Sequence, residues 1–458
     1  MKTVLSRKRS SSLALAIALA TGTATVTTTV FPAEASAQRN RDSDRDAEEV
    51  DGGGYGDAFR EVYVPLDEAM KAEGADVAAL RPQIDALIPL LNTGDEKLAG
   101  GNLVYNAGVR LQDNALRLRG MELMLESGIV PAANLGQYNF VAYQLSAAQD
   151  DYARARPYLQ AAIDNNFTTE GVSAADLQIS MAESYFGEER YQEGFNYLRE
   201  AIEARKAAGQ PVDEVWYRRG FVTAYNNEVT PDVYDFAAMW VEDYPTQTNW
   251  SDAINATRNI NQFQNAEMLD LFRLSRRVDA LQNASEYDYY VEAADARRLP
   301  GEVKAVIEEG IEAGVVQETN SFIAESLETA NSRVGDDRAD LPSLEQEAMA
   351  AGADLRTVTA AASAFLSYDR YDTAAALYEK ALDMPGADRN EVLTRLGISQ
   401  AGAGNYDAAL STFDQVTGTR MPIARLWSAY ARQMQGGGAM GAAAGVEAAS
   451  AAPEMAGS

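Results

Sequence analysis

Apolar residues recur every three to four positions along most of the chain from residue 57 to residue 433. This spacing places them on one face of a helix. The pattern begins near Asp57 with Phe59, and it breaks at Asn92-Thr93-Gly94, a cluster of residues that favours a turn. Pro65 and Pro82 lie where they indicate helix starts or kinks rather than strands. The hydrophobic pattern therefore predicts an all-α chain.

Two stretches near the C-terminus repeat the same residue types at an offset of 35 positions: Tyr371, Ala374 and Tyr378 in the first, and Tyr406, Ala409 and Phe413 in the second. An aromatic, a small residue three positions on, and an aromatic four further fill one face of a helix that packs against a neighbour. A period near 34 residues accommodates one pair of helices. The two stretches predict a tandem helical repeat.

The second copy carries further features of such a repeat. It has Leu396-Gly397 in a first helix, Gly404-Asn405 at the turn, and Pro422 further on. This combination resembles the tetratricopeptide repeat. In that family the large and small residues of the first helix pack against a small residue of the second, so the resemblance implies that Leu396-Gly397 contacts Ala409. Pairs of this kind imply a scaffold that binds a peptide or a protein.

More degenerate copies extend the pattern toward the N-terminus. Tyr152 and Leu159 are mirrored 39 residues later by Tyr191 and Leu198, and the resemblance covers residues 138–209 as well as 354–422. Weaker candidate pairs begin near residues 108 and 216, while 255–345 is expected to be helical without a clear repeat. The stretch from Ile423 to Gln433 is expected to cap the last repeat, as solenoids require for solubility.

These patterns predict a right-handed α-solenoid of tetratricopeptide-like helix pairs. Flanking stretches that are polar and charged, or rich in Gly and Ala, are expected to be disordered. The expected organisation is a signal peptide at 1–37, a disordered linker at 38–56, N-terminal helical and repeat segments at 57–245, degenerate helical repeats at 246–353, a C-terminal repeat pair with its capping helix at 354–433, and a disordered tail at 434–458.

The first 37 residues have the features of a secretory signal. Basic residues precede the apolar run from Leu13 to Ala20, and Ala35-Ser36-Ala37 supplies a cleavage site before Gln38. The run is too short to span a membrane. The chain has no cysteine, so an acyl anchor and disulfides are excluded. The sequence therefore predicts a protein exported to a periplasm, with secretion as the alternative.

Composition restricts the partners and the chemistry. The chain has 39 basic and 68 acidic residues, a net charge of −29, which would repel nucleic acid and anionic lipid. The acidity indicates either a solvated surface or a groove for basic partners, and the even spread of acids favours the surface. Histidine is absent, so a Ser-His-Asp triad and a histidine zinc site are excluded.

Two acidic clusters are candidates for ion binding. Asp42, Asp44 and Asp46 imitate the first ligands of a calcium loop, but Ala47 occupies the position of its glycine. A second cluster precedes Leu341-Pro342 and is expected to be a short acidic turn with solvated charges; it consists of Asp336, Asp337 and Asp340.

Two dipeptides and one aromatic cluster are further candidate sites. Glu183-Ser184 and Glu325-Ser326 match the catalytic dipeptide of lytic transglycosylases, although the family's other motifs are missing. Glu183 is expected to occupy a solvated helix position. The cluster from Tyr287 to Tyr290 could line a binding groove, but a place in the core between repeats is favoured.

The sequence as a whole predicts an exported scaffold that binds a protein or peptide partner and has no catalysis of its own. No catalytic, cofactor-binding or metal-binding residue is predicted, and no cofactor. The alternatives are a peptidoglycan-cleaving enzyme built on a helical superhelix and an assembly factor of the outer membrane. The partner's identity and the oligomeric state stay open.

Overall fold

The computed structural model describes residues 54–437, which form twenty α-helices and no β-strand. One isolated bridge joins Thr169 and Val172. The predicted all-α fold is confirmed for this part of the chain. The predicted signal peptide, the acidic cluster at Asp42, residues 38–53 of the predicted linker and residues 438–458 of the predicted tail lie outside the described residues.

The chain divides into two compact units between Arg190 and Tyr191. This division lies between α7 and α8, inside one of the predicted repeats. Unit 1 contains seven described helices and a 3-10 turn at Ile88–Leu90; the helices are α1 (Asp57–Lys71), α2 (Arg81–Leu87), α3 (Gly94–Leu111), α4 (Asn114–Glu126), α5 (Ala132–Ala147), α6 (Tyr152–Asp164) and α7 (Ala174–Phe186).

Unit 2 contains the other thirteen helices and a second 3-10 turn at Gly418–Arg420. The helices are α8 (Tyr191–Ala207), α9 (Glu214–Asn226), α10 (Asp232–Asp243), α11 (Gln247–Ile260), α12 (Asn265–Arg277), α13 (Ala284–Ala294), α14 (Pro300–Glu312), α15 (Ser321–Met349), α16 (Leu355–Ser367), α17 (Tyr371–Leu382), α18 (Arg389–Gly402), α19 (Tyr406–Phe413) and α20 (Met421–Gln435).

Within unit 1 the closest helix pair is α3 with α4, and glycine allows their backbones to approach. A Cβ atom added to Gly101 would lie 2.8 Å from the carbonyl oxygen of Gly120. Helix α3 begins with a capping box in which Thr93 and Glu96 each bond the other's backbone N–H. The predicted turn at residues 92–94 is therefore the boundary at which α3 starts.

The helix pairs of unit 2 repeat one packing contact. A Cβ atom added to Gly397 of α18 would lie 2.4 Å from the ring of Phe413 in α19, and one added to Gly220 of α9 would lie 2.4 Å from the ring of Phe236 in α10. Both aromatic residues follow their glycine by sixteen positions. Ala409, the small residue of the C-terminal pair, is fully buried.

Helix α20 packs against its neighbour α19, as expected for a cap, and also against α10, which lies far earlier in the chain. Arg432 of α20 donates to Glu242 of α10 at 3.2 Å. Further contacts join α20 to α11 and α12. In a simple linear stack each repeat contacts only its neighbours. Unit 2 departs from that arrangement, because its last helix returns to its earlier ones.

Each unit contains apolar core clusters. In unit 2, tryptophan side chains are buried as well. Trp216, Trp250 and Trp427 are at most 2% exposed. The ring of Trp427 stacks on Phe413 with 6.4 Å between centroids. Within residues 54–437, none of the helices combines the length and the apolar character needed to cross a membrane.

Candidate functional site

Helix α12 carries two charged side chains that are buried in unit 2. Asp270 is fully buried, and Arg273, one turn later, is 7% exposed and donates to Asp270 Oδ1 at 2.9 Å. The same carboxylate accepts hydrogen bonds from Arg395 Nε at 3.2 Å and from Arg420 Nη1 at 2.7 Å. Three arginines from three parts of the chain therefore surround one carboxylate.

A second buried carboxylate continues this network. Glu302, in the first turn of α14, accepts from Arg273 Nε at 2.8 Å and from Arg273 Nη2 at 2.7 Å. Tyr290 of α13 donates its hydroxyl to Glu302 at 2.9 Å. On the other side, Arg395 also pairs with Glu391. Three carboxylates thus balance three guanidinium groups. We call Asp270, Arg273, Glu302, Glu391, Arg395 and Arg420 the buried ion network.

The electrostatics of this network keep the carboxyl groups of Asp270 and Glu302 ionised. Burial opposes ionisation of Asp270, but the positive charges of Arg395 and Arg420 outweigh it and lower the pKa of Asp270 below its ordinary value. Burial likewise opposes ionisation of Glu302, whose pKa is lowered by the charge and hydrogen bonds of Arg273. Arginine does not deprotonate in proteins. These groups can therefore hold and orient charge, but they do not exchange protons near neutral pH.

An open cleft of about 380 Å³ adjoins the buried ion network. Its volume is at the lower end of the range for ligand pockets. Helices α12, α16, α17 and α18 supply its walls, together with the residues that immediately precede α14 and α18. The lining combines apolar, hydroxyl and charged side chains, namely Leu269, Arg273, Arg298, Leu299, Leu355, Arg356, Thr359, Ala360, Ser363, Tyr378, Ala387, Asp388, Glu391, Val392 and Arg395.

The four arginines of the cleft fall into two kinds. Arg273 and Arg395 belong to the buried ion network and are neutralised there. Arg298 and Arg356 are exposed, and neither forms an ion pair with another described residue. The side chain of Arg298 donates to the backbone carbonyls of Ala293 and Ala294, at the end of α13. The cleft therefore presents two arginines that form no close ion pair with a carboxylate of residues 54–437, although the charge of Asp354 attracts Arg356.

Arg356 occupies an unusual position for a cation. It is the second residue of α16, whose first turn contains no acidic residue. The N-terminal end of a helix carries a partial positive charge, and a cation there is disfavoured by about 0.3–1 kcal/mol. The N-cap Asp354 is committed to the backbone N–H of Thr357 at 2.8 Å. The negative charge of Asp354 also attracts Arg356 and offsets part of this cost.

A smaller cavity of about 30 Å³ lies on the other side of Arg273. Arg276, Tyr290, Tyr371 and Trp427 are among its lining residues. Its volume is close to the share of one water molecule. It has room for a water, but not for a side chain of a partner.

Glu183 lies in α7 of unit 1 and is 7% exposed, so the expectation of a solvated helix position is wrong. The helix turns this residue toward the interior beside the buried Ala182 and Met181. A general acid must reach its substrate, and a carboxylate at this depth is shielded from a polymer. Glu325 is exposed on α15 and lines neither cavity.

The acidic cluster before Pro342 does not form a turn, contrary to expectation. Asp336, Asp337 and Asp340 all belong to α15, a helix of 29 residues that contains Pro342. Asp337 accepts a hydrogen bond from the Tyr368 hydroxyl at 2.7 Å. Packing of α15 on α14 and α16 sustains the helix through residues that usually end one. Within residues 54–437, no three carboxylates are grouped so that they could hold a metal ion.

Two of the three tyrosines in the cluster from Tyr287 to Tyr290 lie in the core, which is the location that the sequence analysis favoured. Tyr287 and Tyr290 are 6% and 1% exposed, and both belong to the apolar core of α12 to α15. Tyr289, on the opposite face of the helix, is 53% exposed.

The sequence did not predict the buried ion network, and it did not predict that Arg298 and Arg356 line the cleft. One signal was available for α12, where Asp270 and Arg273 interrupt the apolar run Leu269, Leu271, Phe272 and Leu274. A helix that is apolar on all sides is buried. Two opposite charges inside such a run indicate a buried pair.

Comparison with known proteins adds no family to this description. No protein-family model matches the chain, and a search of the curated proteins gives no match.

Proposed function

We propose that this chain is an exported helical repeat scaffold that binds a protein or peptide partner and performs no catalysis of its own. The finer architecture proposed is a solenoid of tetratricopeptide-like helix pairs, with unit 2 closed by α20. The glycine and aromatic contacts at Gly397 and Gly220, each with its partner sixteen positions on, support the repeat assignment. The signal sequence before Gln38 supports export.

The cleft of unit 2 is the observation that carries the binding role. It is open, it combines apolar walls with polar groups, and two of its arginines form no close ion pair with another described residue. Binding sites are typically concave, largely apolar and furnished with a few placed polar groups. Arg273, Glu391 and Arg395 of its lining are held by the buried ion network, which gives a rigid floor to the cleft.

Crosslinking in the native cell followed by mass spectrometry tests this proposal. The expected result is one or a few proteins crosslinked reproducibly to the chain, with crosslinked residues concentrated on unit 2. A photoreactive amino acid at Thr359 would report on the cleft, and one at the exposed Asp252 would serve as a control in the same unit.

Incubation with purified peptidoglycan tests the absence of catalysis. No soluble fragments are expected from the wild-type protein. Release of fragments that is abolished by Glu183→Gln would overturn the scaffold proposal in favour of the enzyme.

A further inference from the structure

We infer that the cleft of unit 2 recognises a short acidic segment of a partner polypeptide, held by Arg298 and Arg356 through its carboxylates and by the apolar walls through neighbouring side chains. This inference rests on the proposed binding function and specifies the chemistry of the partner. The net negative charge of the whole chain would favour a basic partner, whereas the inferred partner segment is acidic.

The local charge of the cleft differs from that of the chain. The chain carries a net charge of −29, yet the cleft lining includes four arginines and only two acidic residues, Asp388 and Glu391. Glu391 is paired with Arg395, whereas Asp388 caps α18 through the backbone N–H of Glu391 and keeps its negative charge. The positive charge left for a ligand comes from Arg298 and Arg356.

The guanidinium group suits a carboxylate ligand. Its planar set of N–H donors matches the two oxygens of a carboxylate, and such charge-assisted bonds are among the strong ones. Arg298 uses Nε and Nη2 on backbone carbonyls, which fixes its position and leaves Nη1 available. The guanidinium group of Arg356 forms no hydrogen bond with another described residue.

The apolar walls favour a peptide over a free inorganic anion. Leu299, Leu355 and Val392 line the cleft next to the arginines and would contact a hydrophobic side chain. Ser363 and Tyr378, whose hydroxyls lie 3.1 Å apart, add polar groups suited to a peptide backbone. A polyanion such as nucleic acid is disfavoured, because its extended charge would meet the acidic surface outside the cleft.

The test compares peptides selected by two forms of the full-length protein. A displayed library of random dodecapeptides is selected at 150 mM salt on the wild type and on the double variant Arg298→Gln/Arg356→Gln. Peptides with Asp or Glu beside Leu, Ile or Val should be enriched on the wild type and lost on the double variant. Basic peptides that bind the acidic surface should be retained by both forms.

The most enriched peptide is then measured by fluorescence anisotropy beside its Asp→Asn or Glu→Gln analogue. Each single variant, Arg298→Gln or Arg356→Gln, is expected to weaken binding about tenfold, as loss of one charge-assisted hydrogen bond predicts. Both arginines are exposed, so circular dichroism should show an unchanged fold. The matched control is Arg297→Gln, which removes the same charge from the exposed neighbouring residue outside the cleft lining and should leave affinity unchanged.

Three outcomes would overturn the inference: a library without acidic enrichment, equal affinity for the acidic peptide and its amide analogue, or an equal loss of affinity in Arg297→Gln. Competition by millimolar inorganic phosphate as strong as that by the peptide would also overturn it, because the site would then bind small anions. A partner crosslinked only outside the cleft would sink this inference while leaving the scaffold proposal intact.

Discussion

The carboxylate of Asp270 accepts a 2.7 Å hydrogen bond from Arg420, a residue 150 positions later in the chain. Both side chains are nearly or fully removed from solvent. The pair joins α12 to the turn that precedes α20. The last helix of unit 2 is therefore attached to an earlier one through a buried ion pair as well as through apolar packing.

Replacement of Asp270 by Asn should destabilise unit 2 by about 3–5 kcal/mol, because it leaves three arginine side chains buried around a neutral group. All four tryptophans lie in unit 2, so urea unfolding followed by tryptophan fluorescence reports on that unit. Asp252→Asn is the matched control, since Asp252 is exposed on α11 of the same unit. It should change the free energy of unfolding by no more than about 0.5 kcal/mol. Equal effects of the two variants would contradict a central role for Asp270.

Acid should weaken unit 2 through the same network. The arginines lower the pKa values of Asp270 and Glu302 in the folded state. The stabilisation is therefore complete above the unfolded values of about 3.9 and 4.3 and is lost as pH falls below them toward the folded values. The urea midpoint of the wild type should drop across this window. In Glu302→Gln the midpoint should be lower at pH 7 and should fall less on acidification; parallel curves would refute the assignment.

Substitution of Gly397 by Ala should destabilise unit 2 although alanine is the better helix former. The new Cβ atom would lie 2.4 Å from the Phe413 ring, which is 2% exposed and has little room to move. Overpacking of this kind costs about 1–3 kcal/mol, against a propensity gain of about 1 kcal/mol. The fluorescence-monitored urea midpoint measures the balance.

Gly335 provides the opposite case. It lies inside α15, is exposed, and has no atom within 4 Å of an added Cβ. Gly335→Ala should therefore raise the free energy of unfolding by about 0.5–1 kcal/mol. Stabilisation by both alanines would show that the helices at Gly397 and Phe413 are packed less closely than described.

Truncation of Trp427 to Ala should detach α20 from the rest of unit 2. The ring stacks on Phe413, and its Nε1 donates to the backbone carbonyl of Asp270 at 2.9 Å. Loss of a buried tryptophan costs about 3–5 kcal/mol. Thermal unfolding by circular dichroism measures this effect without depending on the removed fluorophore.

Arg432→Ala in the same helix is the control for that experiment. Arg432 pairs with Glu242 of α10 at 3.2 Å, but its side chain is 46% exposed. Partly exposed ion pairs contribute about 0–1 kcal/mol. A loss as large as that of Trp427→Ala would mean that the surface pair, rather than the apolar contact, holds α20 to α10.

Local patterns were sufficient to predict the helices of the two C-terminal stretches that begin at Tyr371 and Tyr406. Tyr371 and Tyr406 are the first residues of α17 and α19, and Ala374 and Ala409 are fully buried, as the register requires. Gly404 has a φ of +81°, which suits the turn predicted there. These features depend on residues within one or two helical turns of each other, so a single sequence contains them.

The burial of individual side chains and the pairing of distant residues could not be predicted from local sequence patterns. Glu183 is polar and was expected to face solvent, but packing in unit 1 turned it inward. The acidic residues before Pro342 were expected to form a turn, but contacts of α15 with its neighbours sustain the helix there. Both outcomes depend on surfaces supplied by other helices.

The sequence by itself determined the all-α character of residues 54–437, the helical register at Tyr371 and Tyr406, and the exclusion of every mechanism that needs histidine or cysteine. Only the tertiary structure decided that Asp270 meets Arg395 and Arg420, and that Arg298 and Arg356 line one cleft. The physical reason is the range of the interactions. Helical periodicity is set by neighbours along the chain, whereas an ion pair or a cleft forms where packing brings distant segments together.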